Sequence, residues 1–252
     1  MLNFDGQVVI VTGSGSPKGI GRSIAKTFAR QKATVIIADI DEMGIVDTVS
    51  EIKNNGGNAM GVVVNVTSEE SVQNMVDEVI KTYGRIDVLV NNAGISQKIT
   101  VEDMTLADMR RVFEVNMFGL FLCTQACMKP MRDAKYGRIV NLSSVSGKRG
   151  GGVFGGAHYS ASKAAVLGFA KNLSREISAE GITINSVCPG LINTEIWRGL
   201  PEEEANKVIA GIPMGRPGET QEVADTIVFL ASKEASYITG EEIDINGGSH
   251  MD

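Results

Sequence analysis

The sequence has few of the residues that build disulfide frameworks, metal centres or basic surfaces. Its 252 residues include 3 cysteines and 2 histidines, and its formal net charge is −6. Cys123 and Cys127 are four residues apart with no histidine nearby, so we interpret them as small core residues and predict no metal site. The negative charge argues against nucleic-acid binding, which needs a basic face.

Long hydrophobic runs are missing as well. No apolar stretch approaches the roughly 20 residues that span a bilayer, and the apolar run that begins at Val8 is too short for the core of a signal peptide. We therefore expect no membrane partner and a location in the reducing cytoplasm. No linker, charge block or repeat divides the chain, so residues 1–252 are predicted to form a single domain.

Short β-branched runs alternate with stretches of helical periodicity along almost the whole chain. Strands are predicted at 7–12, 34–39, 61–66, 86–91, 138–143, 182–187 and 242–245, and helices near 20–30, 42–54, 69–83, 106–130, 159–180 and 220–232. Apolar strands without strict alternation are typical of a parallel sheet covered on both faces. The pattern predicts an α/β fold with one doubly wound parallel sheet, a Rossmann fold, that binds ligands beyond the carboxyl ends of its strands.

The first predicted strand runs into a glycine-rich turn at residues 12–21. Glycines let a backbone approach a pyrophosphate, and the start of the following helix supplies N–H donors and the positive end of a dipole. A plain turn is the alternative, but the position between a strand and a helix favours dinucleotide binding. The candidate cofactor-binding residues of this turn are Gly13, Ser14, Gly15, Lys18, Gly19, Ile20 and Gly21.

Two charged residues give opposite indications about the cofactor. Asp39, which is followed by Ile40 at the end of the second strand, could accept both hydroxyls of the adenosine ribose and repel a 2′-phosphate. Lys18, beside the glycines, could instead bind that phosphate. The alternative interpretation of Asp39 is a solvated aspartate in a loop. Unit charges about 5 Å apart at an effective dielectric of about 20 interact by roughly 3 kcal/mol. Because the strand fixes Asp39 and Lys18 is flexible, NAD is the predicted cofactor and NADP the alternative.

Small and polar residues follow the third and fourth predicted strands. Asn65, which precedes Val66, could accept a hydrogen bond from the adenine amino group, or it could cap a turn. Asn92, Ala93 and Gly94 form a small polar segment that suits close contact with a cofactor. Both segments are therefore candidates for cofactor binding.

Tyr159 and Lys163 are four residues apart at the start of a predicted helix, so their side chains lie on one face. A phenol has a pKa near 10 and is a poor acid or base at neutral pH. An ammonium within about 4–6 Å lowers that pKa. The pair predicts a tyrosine that passes a proton to or from a substrate oxygen. Two solvated polar side chains are the alternative.

The motifs follow one another in a specific order: the glycine-rich turn, Asn91-Asn92-Ala93-Gly94, Val115-Asn116-Met117, Asn141-Leu142-Ser143-Ser144, Tyr159 with Lys163, Pro189-Gly190 and the segment 240–248. In this order the chain resembles the classical short-chain dehydrogenases/reductases, from Val9 to Gly248. The resemblance implies an NAD(P)-dependent enzyme that interconverts a secondary alcohol and a ketone, assembled as a homotetramer partly through the helices near 106–130 and 159–180.

The resemblance implies a catalytic set of four residues. Ser144 and Tyr159 would bind the substrate oxygen, Lys163 would lower the tyrosine pKa and bind the nicotinamide ribose, and Asn116 would anchor a water. The implied contacts of the nicotinamide are Pro189, Gly190, Ile192 and Thr194.

Three departures from the family pattern stand out. The phosphate turn between Gly13 and Gly19 carries an insertion, and Asn65 stands where the family usually has aspartate. The spacing from Ser144 to Tyr159 is longer than usual, which enlarges the loop 148–156 beside the substrate.

The substrate is expected at the mouth of the pocket. Gln97 and His158 are placed near this mouth, and a substrate lid that contains Trp197 is predicted within 195–217. A small polyol, sugar or hydroxy compound is the predicted substrate. The alternatives are a 3-oxoacyl-acyl carrier protein reductase, and, from another class, a non-catalytic NAD-binding sensor. The candidate substrate-binding residues are Ser96, Ser144, Ser146, Phe154 and Tyr159.

Overall fold

A computed structural model describes residues 2–194 and 201–251. Within this part of the chain the strands form one seven-stranded parallel sheet, in the order β3-β2-β1-β4-β5-β6-β7. The strands are β1 Val8–Thr12, β2 Thr34–Asp39, β3 Asn58–Val63, β4 Val88–Asn91, β5 Gly137–Leu142, β6 Ile182–Pro189 and β7 Glu242–Ile245. Strand order reverses at β1, which pairs with both β2 and β4.

Helices cover both faces of this sheet, as predicted. They are α1 Ile20–Arg30, α2 Glu42–Asn54, α3 Glu69–Tyr83, α4 Leu106–Phe113, α5 Gly119–Ala134, α6 Val145–Arg149, α7 Ala157–Ile177, α8 Glu202–Ala210 and α9 Thr220–Leu230. The predicted Rossmann fold class is confirmed.

Alternation along the strands divides the core into two layers. Val9 and Val11 of β1 pack in a cluster with buried residues of α1, α2 and α9. Val8 and Ile10 point to the other face, where α3, α5 and α7 supply the partners. Helices therefore cover both faces of the sheet and exclude water from them, which is why the strand sequences are apolar without alternation.

Local sequence signals fix where several helices begin. Thr105 and Asp108 form a reciprocal capping box at the start of α4, and these hydrogen bonds lower the pKa of Asp108 to about 2. Ser68 accepts from the backbone N–H of Ser71 at the start of α3, and Gly84 ends that helix in a left-handed conformation. Each terminus thus satisfies backbone groups that a helix leaves without partners.

Two predicted elements are displaced or interrupted, and the helices α6 and α8 lie where none was predicted. The strand predicted at 61–66 lies at Asn58–Val63, because β3 pairs residue by residue with β2 and its Asp39↔Val63 pair ends the ladder. The helix predicted near 106–130 is interrupted by a π-helical turn at Glu114–Phe118 and then continues to Ala134. No described helix is both long and apolar enough to cross a membrane.

Candidate active site

A cleft of about 970 Å³ opens at the edge of the sheet where the parallel strands end. It is lined by residues that directly follow six strands, among them Gly13, Ile40, Val64, Asn92, Ser143 and Gly190. This is the position at which doubly wound sheets bind ligands.

Most of the candidate residues meet in this cleft. Its lining includes Gly13, Lys18, Gly19, Ile20, Asp39, Ile40, Asn65, Val66, Asn92, Ala93, Gly94, Ser96, Ser144, Ser146, Phe154, Tyr159, Lys163, Pro189, Gly190, Ile192 and Thr194. It also includes residues that the sequence reasoning missed, notably Ser16, Arg149 and Ser249.

Three candidates of the glycine-rich turn do not line the cleft. Ser14 is fully buried and donates from its hydroxyl to the carbonyl oxygen of Val11. A Cβ on Gly21 would lie 2.3 Å from the carbonyl oxygen of Gly13, so this glycine lets α1 pack on the turn. Gly15 faces Asp39 instead of the cleft. These residues shape the turn from behind, and their direct contact with a cofactor stays a prediction.

The carboxylate of Asp39 is held in one orientation at the end of β2. Its Oδ2 accepts from the N–H of Gly15 at 2.7 Å, and its Oδ1 accepts from the N–H groups of Ile40 at 2.7 Å and Asp41 at 3.1 Å. A Cβ on Gly15 would lie 3.1 Å from this carboxylate, which explains the need for glycine there. Asp39 is therefore a fixed negative charge on the cleft wall, as the strand position predicts.

Ser144 and Tyr159 come from two helices that pack closely. Ser144 is the N-cap of α6, where its Oγ accepts from the N–H of Ser146 at 3.1 Å. Tyr159 lies in the first turn of α7. A Cβ on Gly147 would lie 2.8 Å from the backbone carbon of Lys163, so glycine allows α6 to touch α7. The two hydroxyls therefore reach the same cleft from adjacent helix starts.

Lys163 follows Tyr159 by one helical turn and is almost completely buried. Its ammonium donates to the carbonyl oxygen of Leu142 at 2.7 Å and lies 5.8 Å from the centre of the Tyr159 ring. Burial lowers the pKa of Lys163 to about 8. Burial also raises the pKa of Tyr159, and a hydrogen bond with Ser144 offsets part of that rise. The predicted lowering of the tyrosine pKa is thus wrong in direction, because desolvation of the phenolate outweighs its polar neighbours.

Asn116 lies in the π-helical turn and does not line the cleft. Its Oδ1 accepts from the N–H of Ile95 at 2.8 Å, and its Nδ2 donates to the carbonyl oxygen of Ile95 and to Ser162 Oγ, both at 3.0 Å. A Cβ on Gly94 would lie 3.3 Å from Asn116 Oδ1 and 3.4 Å from Lys163 Nζ. Asn116 therefore fixes the segment after β4 directly beside the lysine, a position that π-helical turns often have in functional sites.

These features are shared with proteins of known family. A family model described as "Enoyl-(Acyl carrier protein) reductase" matches residues 13–250. The chain is 39% identical over 250 residues to the 3-oxoacyl-[acyl-carrier-protein] reductase FabG of Escherichia coli, which covers 99% of this chain and 100% of that protein. The chain is a short-chain dehydrogenase/reductase. It is thus an NAD(P)-dependent oxidoreductase that acts on CH–OH groups, as the resemblance implied.

Other members of the family match over the same length. The chain is 38% identical over 250 residues to the (2S)-[(R)-hydroxy(phenyl)methyl]succinyl-CoA dehydrogenase subunit BbsD of Thauera aromatica, covering 99% of both chains. The crystal structure of a 3-oxoacyl-[acyl-carrier protein] reductase from Brucella melitensis superimposes with a TM-score of 0.93 at 35% identity, covering 99% of this chain and 93% of that chain. The short-chain dehydrogenase/reductase fold therefore extends over the described chain.

The cleft of this short-chain dehydrogenase/reductase suits the nicotinamide dinucleotide that the family uses. The backbone of the glycine-rich turn is packed tightly, since a Cβ on Gly13 would lie 2.7 Å from Ala93 Cα. Among the described lining residues four are basic and one, Asp39, is acidic, although the chain carries a net charge of −6. An anionic cofactor thus meets a locally basic wall, with a single carboxylate near the expected ribose.

Gln97 and His158 lie behind the site instead of at its mouth. Gln97 donates to Asp108 at 2.9 Å and accepts from Arg111 at 2.8 Å, so its side chain is turned to α4. His158 is fully buried, with its Nε2 3.3 Å from Gln97 Oε1. Their predicted place at the mouth is wrong, since neither side chain lines the cleft.

Part of the predicted lid can be compared with the structure. Residues 195–200, which include Trp197, lie outside the described residues. Downstream, α8 and the turn after it bring Lys207, Val208 and Ile212 to the cleft wall. The described part of the 195–217 segment thus borders the substrate side of the cleft.

Proposed function

We propose that this short-chain dehydrogenase/reductase interconverts 3-oxoacyl and 3-hydroxyacyl thioesters. The observation that carries the proposal is the full-length similarity to 3-oxoacyl-[acyl-carrier-protein] reductases, at 39% identity in the Escherichia coli protein. The name of the Thauera aromatica relative also specifies an acyl-CoA substrate. A small polyol or sugar, the first choice from the sequence, has no support among these relatives, so we adopt the alternative substrate class.

The side chains in the cleft supply the acid–base part of this reaction. In the reducing direction, Ser144 and Tyr159 donate hydrogen bonds to the 3-oxo group, and Tyr159 transfers its proton as that oxygen becomes a hydroxyl. A bound nicotinamide supplies the hydride or, in the reverse direction, accepts it. Because burial raises the pKa of Tyr159, the phenol is protonated at neutral pH and acts as the acid.

Lys163 and Asn116 support that proton transfer from behind. The pKa of Lys163 is about 8, so this residue is mostly protonated at pH 7 and can return a proton towards Tyr159. Asn116 holds the segment that contains Ile95, next to the lysine. The presence of all four residues favours an enzyme over the non-catalytic sensor, for which an intact proton-transfer set has no use.

The cleft wall beyond Tyr159 suits an acyl chain. Apolar side chains on α6, in the loop before α7, after β6, on α8 and after α8 could cover the methylene groups of a substrate. We propose that the segment 195–217, including α8, acts as the substrate lid. The apolar lining residues of this wall are Val145, Val153, Phe154, Leu191, Val208 and Ile212.

We propose NAD as the preferred cofactor, with NADP used less well. Asp39 has three backbone N–H partners and cannot turn away from a 2′-phosphate without losing them. Repulsion between the Asp39 carboxylate and the 2′-phosphate should lower the affinity for NADP. Solvent and salt at an open cleft weaken this repulsion.

We also propose a cytoplasmic homotetramer. Phe118 and Phe121, near the start of α5, are 48% and 38% exposed, and the ring of Phe121 lies edge-on to Phe169 of α7 at 6.3 Å. Exposed aromatic rings on neighbouring helices suit a symmetric interface. Light scattering at micromolar concentration should give four times the chain mass, and a monomer mass would contradict the assembly.

The absorbance of the reduced cofactor at 340 nm tests the function. The purified protein should oxidise NADH with acetoacetyl-CoA and acetoacetyl-N-acetylcysteamine much faster than with sugar ketoses of similar size. Each substrate should be run with NADPH as well. Turnover of polyols and sugars without turnover of thioesters would contradict the proposal and favour a polyol or sugar substrate. No turnover of any substrate, with intact NADH binding, would favour the sensor.

A further inference from the structure

Basic residues line the cleft on its substrate side as well as beside the expected dinucleotide site. Lys18 lies beside the glycine-rich turn, and Lys163 lies beside Tyr159. Arg149 and Lys207 line the other side of the cleft, where Phe154 and Ile212 also lie. Asp39, the acidic lining residue among those described, is at the cofactor end, so the charged residues that line the substrate side in the described chain are all basic.

Arg149 is placed by the helix that begins at Ser144. It is the last residue of α6, so its Cα lies about 7.5 Å from Ser144 along the helix axis. The segment that follows it, up to the start of α7, is rich in glycine. The catalytic serine and the arginine are therefore linked by one short rigid element.

The partners of Arg149 differ from those of the neighbouring basic residues. Lys207 forms an ion pair with Glu203 at 2.7 Å, and Lys148 forms one with Asp244 at 2.8 Å. Arg149 donates from one guanidinium nitrogen to the carbonyl oxygen of Ser249 at 2.8 Å. Within the described part of the chain, no carboxylate lies within ion-pair distance of Arg149, and its side chain is exposed at the cleft.

A guanidinium in this setting suits an anion with two oxygens. Its five N–H donors form a planar fork, and the bond to the carbonyl of Ser249 uses one side of that fork and holds its orientation. The remaining edge matches a carboxylate or a phosphate, with which arginine forms two parallel hydrogen bonds.

We propose that Arg149 is a specificity-determining residue that binds an anionic group, a carboxylate or a phosphate, of the thioester substrate away from its reacting carbonyl. The inference rests on the proposed function, since it assigns a second contact to the same substrate. A carboxylate would belong to the acyl chain, and a phosphate would belong to the pantetheine arm. An arginine that only fastens the C-terminal segment through Ser249 is the competing explanation.

Steady-state kinetics with four small substrates separates these sources. An uncharged 3-oxobutanoyl and a carboxylated 3-oxoadipyl chain are compared on N-acetylcysteamine, and the 3-oxobutanoyl chain is compared on pantetheine and on 4′-phosphopantetheine. Hydrogen bonds to charged groups contribute about 1.5–3 kcal/mol, which corresponds to about 10- to 100-fold in affinity. Arg149→Gln should lower the charged-to-uncharged ratio of kcat/KM by that factor in at least one pair.

Two further variants make the result specific. Arg149→Lys keeps the charge without the fork, so its ratio should lie between those of the wild type and Arg149→Gln. Lys207→Gln removes a paired cation from the same side of the cleft and should leave both ratios within about twofold. An equal effect of Lys207→Gln would show that the substrate anion responds to the overall positive charge of the cleft and not to a specific contact with Arg149. That result would overturn the assignment of Arg149.

The remaining outcomes also decide the matter. If Arg149→Gln lowers kcat/KM equally for charged and uncharged substrates, or leaves every ratio unchanged, Arg149 has a structural role and the inference is wrong. If the wild type turns over none of the thioesters, the proposed function fails separately. Calorimetric binding of the carboxylated and uncharged thioesters to the wild type and Arg149→Gln then gives the same comparison without turnover, and equal affinities would overturn the inference.

Discussion

Lys163 donates a 2.7 Å hydrogen bond to the carbonyl oxygen of Leu142, the last residue of β5. The bond ties the buried ammonium to the end of a central strand. Because the pKa of Lys163 falls from 10.5 to about 8, this residue loses its proton in the folded protein at a lower pH than in the unfolded chain.

The first prediction is a dependence of stability on pH that belongs to Lys163. Between pH 8 and 10.5 the unfolded chain binds a proton at this lysine that the folded protein has lost, so the free energy of unfolding should rise with pH in this window. The full rise is on the order of 3 kcal/mol. Urea titrations from pH 7.5 to 10 should show the rise in the wild type and a smaller one in Lys163→Met. Lys98→Met, at an exposed lysine, is the control. Parallel curves for the wild type and Lys163→Met would refute the account.

The second prediction separates the two adjacent serines at the end of β5. Ser143 donates to the backbone carbonyl of Lys163 at 2.8 Å, whereas Ser144 caps α6 and interacts with Tyr159. Ser144→Ala should lower kcat by about 100-fold or more, since it removes a donor to the substrate oxygen. Ser143→Ala should mainly lower the free energy of unfolding, by about 1 kcal/mol. An equal loss of kcat in both variants would contradict the different roles assigned to the two hydroxyls.

The sequence predicts most strands to within two residues, but it misplaces the strand β3 and misses the π-helical interruption. The residues of β2 and β7 are predicted without error, and Asp39 is thereby placed at the end of its strand. The strand β3 is displaced by three residues, because Val64 and Val66 are buried beyond the end of its ladder with β2 and prolong the apolar pattern. The π-helical turn around Asn116 leaves no periodic signal that distinguishes it from α-helix.

Within the site, the sequence predicts which residues line the cleft better than it predicts the burial and pKa of their side chains. The order of motifs predicts that Ser144, Tyr159 and Lys163 line one cleft, and they do. It does not predict the raised pKa of Tyr159 or the burial of Ser14, because desolvation depends on tertiary packing. Arg149 was also missed, since no pattern in the sequence shows that the C-terminal segment meets α6.

A third prediction uses two glycines with similar backbone angles. Gly13 and Gly56 have φ of +66° and +78°, but an added Cβ would meet Ala93 Cα at 2.7 Å in the first and nothing within 4 Å in the second. Both alanine variants should therefore lose about 1–2 kcal/mol through left-handed strain. Gly13→Ala should lose a further 1–3 kcal/mol, approximately, through overpacking, and also NADH affinity. Urea midpoints and fluorescence titration measure the two effects. Equal stability of the two variants would show that the turn is not tightly packed.

The fourth prediction concerns the choice of cofactor. Asp39→Ala combined with Ile40→Arg should shift binding preference from NADH towards NADPH, since repulsion is removed and a guanidinium is supplied. Asp41→Ala is the matched control. It removes the N-cap of α2, which accepts from the N–H of Met43 at 3.2 Å, and should cost stability with little change in preference.

Fluorescence titration with both cofactors reports that preference directly. Lys18→Ala should change NADH affinity little. If the wild type binds NADPH more tightly, or if Lys18→Ala abolishes NADPH use while Asp39→Ala does nothing, then Lys18 and not Asp39 selects the cofactor.

The central claim is that Tyr159 transfers the proton between this enzyme and a 3-oxoacyl thioester, and the turnover of Tyr159→Phe tests it most directly. The change keeps the ring and removes the hydroxyl. Turnover of acetoacetyl-N-acetylcysteamine with NADH should fall by at least about 100-fold, the scale of a general acid, while NADH binding persists. Tyr237→Phe, at a fully exposed tyrosine, should match the wild type. Turnover of Tyr159→Phe close to that of the wild type would contradict the account.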